Sequence, residues 1–114
     1  MTQKHHIDMA TVDMLREILE DGFPTLVDTF ITDSRFRISE IRAGLQEANA
    51  EAVRRAAHSL KGSSSNVGAQ LLTDYSQTFE LAAQNNQLQG LKELLEEVEA
   101  EFVTVTDILS RWLT

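Results

Sequence analysis

A chain of 114 residues has room for one hydrophobic core, but not for a nucleotide-binding domain beside a separate catalytic one. Eighteen acidic side chains against ten basic ones give a formal net charge of −8, which repels nucleic acid and anionic membrane over most of the surface. Without cysteine there are no disulfides or thiolates, and no apolar run is long enough to span a bilayer or serve as a leader, so the expected location is the cytoplasm.

Apolar residues recur at helical period throughout and nowhere alternate as in a half-buried strand, so the expected fold is all-α in a single domain, 1–114. Residues 1–7 read as a flexible tail, and His5 and His6 as solvated. A first helix is predicted after Asp8 as N-cap, with Ile7 and Val12 as a hydrophobic staple and a stop at Asp21-Gly22. Pro24 opens a second helix whose stripe, Val27, Ile31, Ser34, Ile38, Ile41 and Leu45, carries it to about Ala48. Asn49 ends that helix and caps a third, which runs until Gly68 supplies a left-handed stop.

Leu72, Tyr75, Phe79 and Ala82 mark a fourth helix, and Asn85-Asn86 a turn. The last stripe is the most regular: Leu88, Leu91, Leu95, Val98, Phe102, Val105, Leu109 and Trp112. The acids between them, Glu93, Glu96, Glu97, Glu99 and Glu101, read as a solvated face rather than a cation site. Four long amphipathic helices with short connections pack most simply as an antiparallel four-helix bundle, with the short first helix across one end. A monomer is expected in preference to an intermolecular coiled coil.

At about 100° per residue, His58 shares a face of the third helix with Arg54, Arg55, Lys61, Gly62 and Ser65. The opposite face, Ala52, Val53, Ala56, Leu60, Ser63 and Val67, is apolar or small and suits a tight core, which turns His58 outward. A lone exposed histidine usually means nothing; its neighbours give this one meaning. Lys61, one turn on, can attract a phosphoryl oxygen, and Arg54 and Arg55 add to the field. Gly62 costs the helix about 1 kcal/mol relative to alanine, and the reasons to accept that are access to the imidazole, a helix contact or the beginning of the helix end. A neutral imidazole near pH 7 is a nucleophile that needs no activating base, and its phosphoramidate passes the group onward. Ser63, on the core side, and Ser64, on its flank, read as structural hydroxyls. Gln77 and Glu80, on the next helix, are candidates to orient the ring.

The run Ala57-His58-Ser59-Leu60-Lys61-Gly62-Ser63-Ser64, followed by Asn66-Val67-Gly68-Ala69, resembles the signature of histidine-phosphotransfer (HPt) domains, and the short all-helical chain resembles their stand-alone bacterial members. The resemblance implies a four-helix bundle that relays phosphoryl groups between receiver domains of hybrid sensor histidine kinases and of response regulators. His58 is then the acceptor, assisted by Lys61 and reached past Gly62. The acidic pocket and Mg²⁺ come from the receiver, so no metal or nucleotide of its own is implied. Met14, Ile18, Phe23 and Leu26 are candidates for receiver docking or, equally, for the core, whereas Leu15 and Leu19 read as core.

A phosphorylation-independent helical adaptor is the competing reading. No glycine-rich phosphate loop supports an autonomous kinase, and His58 lacks the Glu-x-x-His spacing of bundle metal sites.

Overall fold

The computed structural model describes residues 5–113, all helical apart from turns and connections. The first helix, α1 (Met9–Leu19), starts as expected: the Asp8 carboxylate accepts from the Ala10 N–H, and Ile7 and Val12 are both buried. A 3-10 turn, Glu20–Gly22, leads into α2 (Phe23–Gln46), with Pro24 in its first turn. The Asn49 side chain accepts from the Ala52 N–H and so caps α3 (Ala50–Asn66). Gly68 stops that helix at φ +75°, and α4 (Gln70–Gln84) ends at Asn85-Asn86, where Asn86 takes φ +56°. The last helix, α5 (Lys92–Ser110), is followed by a 3-10 turn.

Side-chain pairs fix the helix directions. Asp33 meets Ser63 across α2 and α3, near the far end from the Gly44–Val53 approach. His58 and Lys61 meet Glu80 and Gln77 across α3 and α4, and Arg42 and Phe30 meet Glu99 and Phe102 across α2 and α5. In each pairing, rising numbers on one helix face falling numbers on the other. The four helices therefore form an antiparallel ring, α2-α3-α4-α5, around a core that includes Val27, Ile41, Leu60, Leu72, Phe79, Val98 and Val105. At the α2–α3 crossing, a Cβ on Gly44 would lie 2.7 Å from Val53 Cγ2 and 3.3 Å from its backbone nitrogen, so the approach needs glycine.

α1 closes the end where α2 starts, α3 turns into α4 and α5 finishes. Eleven residues are too few for a helix to persist alone, so contacts hold this one. Val12 is fully buried, Thr11 packs on Gly68, and the Arg16 guanidinium lies 4.6 Å from the centre of the Trp112 ring.

The structure corrects several expectations. Residues 5–7 are no loose tail: the His5 carbonyl accepts from the Leu71 N–H, the Asp8 N–H donates to Gly68, and Ile7 is in the core. Residues 1–4 lie outside the described part. His6 Nδ1 sits 2.7 Å from Glu101, which is buried rather than solvated because this strap covers it. Leu88 and Leu91 precede α5 and pack on the core from the connecting loop, in which Gly90 takes φ +80°. Phe23 is buried in the core and Leu26 packs against it, while Leu19 is exposed, because α1 lies over the bundle end on one narrow edge. Met14 and Ile18 are exposed, as docking candidates must be.

Candidate functional site

The middle of α3 is held between α2 and α4, and this decides which of its residues face out. Val53, Ala56, Ala57, Leu60 and Ser64 are buried, while Arg55, His58, Gly62 and Ser65 are exposed. Packing on two sides widens the buried arc beyond one stripe, which reverses the expected places of the two serines. Ser64 is fully buried, whereas Ser63 sits at the edge and donates to Asp33 at 3.1 Å.

The His58 side chain is 64% exposed, and its Nδ1 lies 2.7 Å from Glu80 Oε2. Lys61 Nζ donates to the other oxygen of the same carboxylate, Oε1, and at 3.0 Å to Gln77 Oε1. Glu80 is only 13% exposed. Burial alone would push its pKa up, but the hydrogen bond from Lys61 outweighs burial, and His58 adds to the effect. The carboxyl is therefore held below the ordinary carboxylate range.

A carboxylate kept ionised can only accept hydrogen bonds. In the neutral ring Nδ1 then carries the proton and the lone pair lies on Nε2, which has no hydrogen-bond partner among the described residues. Lys61 uses two of its three N–H donors on Glu80 and Gln77, so one remains for an incoming oxygen. Lys61 is half-buried, because its stem lies along α4 to reach these partners.

A Cβ on Gly62 would meet nothing within 4 Å, so no helix contact requires glycine there. The gap opens outward, one turn from His58. Arg54 is bonded to Glu51 at 2.7 Å, which raises the pKa of the guanidinium, and Arg55 lies 3.9 Å from the same carboxylate. Both line a groove with His58. The Ser65 hydroxyl is on the exposed face, while its carbonyl accepts from the Gly68 N–H in the turn that ends α3.

Spacing along the sequence brings His58, Lys61 and Gly62 together and offers Glu80 and Gln77 as candidates on the next helix, which the fold carries to the site. Spacing misses Arg37 of α2, which lines the same groove. Its spacing to Glu40 at i+3 and Asp33 at i−4 is that of any helix-surface ion pair and gives no signal of a site.

The profile of the Hpt domain family matches residues 25–109. Similar solved structures include histidine-containing phosphotransfer protein B (HptB) from Pseudomonas aeruginosa PAO1, 39% identical with a TM-score of 0.91 over 96% of this chain and 95% of that one. Another is a rice protein described as a histidine-containing phosphotransfer protein, 26% identical with a TM-score of 0.81 over 92% of this chain and 79% of that one. No curated protein matches the chain at a significant level. With nearly all of its α2–α5 ring inside the profile and 39% identity carried over nearly the whole length, the chain belongs to the Hpt domain family.

Proposed function

We propose that the chain is an intermediate of a multistep two-component phosphorelay, carrying a phosphoryl group on His58 Nε2 between the aspartates of two receiver domains. The observation that carries this reading is the single bond of the ring, from Nδ1 to a half-buried Glu80 held ionised, which turns Nε2 to solvent.

Nε2 attacks the phosphorus of the aspartyl phosphate; the P–N bond forms as the P–O bond breaks, and the carboxylate returns to the receiver. Positive charge that builds on the imidazole is met by Glu80, and charge on the phosphoryl oxygens by the spare Lys61 donor. Arg54 and Arg55 raise the local potential, and Ser65 extends the exposed face toward the turn. Ser63, Ser64 and Gly68 serve the fold. The reverse reaction uses the same contacts, so the relay runs in either direction.

Both oxygens of Glu80 are occupied by Lys61 and His58, which makes it a poor Mg²⁺ ligand. Under this reading Mg²⁺ comes with the receiver domain, the chain has no kinase activity, and ATP alone labels nothing. It acts as a monomer in the cytoplasm; among the described residues no helix is long and apolar enough to cross a membrane.

Incubation with a phosphorylated receiver domain tests the proposal. Label should move to this chain and prove acid-labile and alkali-stable; alkali-labile label, or none from any receiver, would reject it.

Gly62 separates access from stability. Gly62→Ala should fold at least as well as wild type, since its methyl meets open space and alanine favours a helix interior by about 1 kcal/mol. Gly62→Leu should fold too, yet slow transfer from a receiver by about tenfold, equivalent to roughly 1.4 kcal/mol at the transition state. Thermal melts and transfer time courses check both, and equal rates for Leu and Gly would remove the access role.

A further inference from the structure

Beside the imidazole, α2 and α3 enclose an open groove of about 430 Å³ whose lining includes Arg37, Arg54, Arg55 and His58, together with the small Ala52 and Ala56. Three guanidinium groups meet there in a chain of net charge −8. Each already faces a carboxylate of the chain itself. Arg37 bonds Glu40 at 2.9 Å, and Arg54 and Arg55 share Glu51.

These resident pairs are weakly held. Both partners of each are partly or largely exposed, and such pairs contribute little because water competes for them. Arg37 keeps a donor without a hydrogen bond: its Nε is buried and unpartnered, and an Asp33 carboxylate oxygen stands 3.6 Å away. Its guanidinium also lies 5.4 Å from the ring centre of Phe36, a large aromatic left 55% exposed on the same helix. An arginine beside an exposed aromatic ring is the combination that interface hot spots favour.

We propose that Arg37, with Arg54 and Arg55, forms a carboxylate-reading subsite that docks an acidic segment of the partner receiver domain and selects which receivers reach His58. The proposal rests on His58 being the acceptor. Guanidinium forks match carboxylates two bonds at a time, and the groove shows this match with the chain's own Glu51, bonded by two nitrogens of Arg54. An incoming acid exchanges partners with Glu40 or Glu51 rather than meeting bare cations. Arg37 stands on α2, so the docking surface spans two helices and fixes the receiver's orientation as well as its distance.

The experiment uses the full chain with Arg37→Glu and a panel of isolated, phosphorylated receiver domains, alongside phosphoramidate as a small donor. With phosphoramidate, the donor P–N bond breaks, ammonia leaves, and the new bond forms to Nε2; no docking is needed. The reversed charge should lower kcat/KM for transfer from receivers about tenfold or more through KM, unequally across the panel, and raised salt should narrow the gap. Phosphoramidate should label wild type and variant alike.

Unchanged kcat/KM for every receiver that serves wild type, or a fall in kcat alone, would overturn the subsite while leaving the acceptor reading intact. Failure of phosphoramidate to label wild-type His58 would instead count against the acceptor. If Arg37→Glu disturbs the melt, Arg37→Gln is to be measured: a smaller rise in KM supports the subsite, and wild-type kinetics reject it.

Discussion

His58→Gln is expected to reduce transfer from a phosphorylated receiver to background, a loss of about 10³-fold or more, because the nucleophile itself is gone. Glutamine can still donate from its amide to Glu80, so helix content and melting should stay close to wild type. The ring is 64% exposed, which means that little packing is lost with it. This separates the relay from the adaptor reading, under which partners bind and signal equally well without the imidazole. Circular dichroism and a labelled-receiver assay on the same samples decide the matter. Label retained at the wild-type level would move the acceptor elsewhere.

Glu80→Ala is expected to be the most damaging substitution outside His58. It removes the acceptor that fixes the Nδ1 proton and strips Lys61 of its carboxylate partner, so either ring nitrogen can carry the proton and the ammonium can swing away. Transfer should slow by about 10–100-fold, within the range expected for misplaced proton and charge groups. Glu80→Gln keeps the shape and accepts a hydrogen bond but lacks the charge, so it should fall in between.

The pH dependence follows from the depressed pKa of Glu80, caused first by Lys61, against burial, and then by His58. A carboxyl that binds its proton less readily when folded adds stability that is present in full above its unfolded-state pKa. That stability is lost as pH falls through the folded-state value. Wild type should therefore lose stability between about pH 5 and the folded pKa of Glu80, and Glu80→Ala should lack that part of the acid dependence. Denaturant melts across pH measure the difference; parallel curves would mean that the Lys61–Glu80–His58 contacts do not couple to folding.

Much of the fold was legible because local chemistry and global packing agree. Asp8 and Asn49 cap helices, Pro24 starts one, and Gly68 and Asn86 adopt the left-handed turns that their residue types favour. His58 could be turned outward by counting residues around α3, since the face behind it is small and apolar.

The same counting failed at Ser63 and Ser64. A helix packed on both flanks buries more than one stripe, and about 100° of rotation separates adjacent residues that lie close to its edge. Leu88 and Leu91 kept helical spacing without being in a helix, because a loop that covers a bundle end needs apolar residues as much as a helix does. The strap at residues 5–7 and the burial of Glu101 depend on a contact across 95 positions, which no local pattern encodes. Glu80 and Arg37 belong to the same class: each lies on a neighbouring helix, and only the packing of α3 between α2 and α4 brings them to His58.

The most direct test of the central claim is nitrogen and phosphorus NMR on the chain with ¹⁵N-labelled histidine, before and after phosphorylation by a receiver domain. The free protein should show His58 protonated on Nδ1, and the phosphorylated form a phosphorus coupled to Nε2 with the Nδ1 proton retained. Phosphorus bonded to Nδ1, or held on an oxygen of any other residue, would contradict the account.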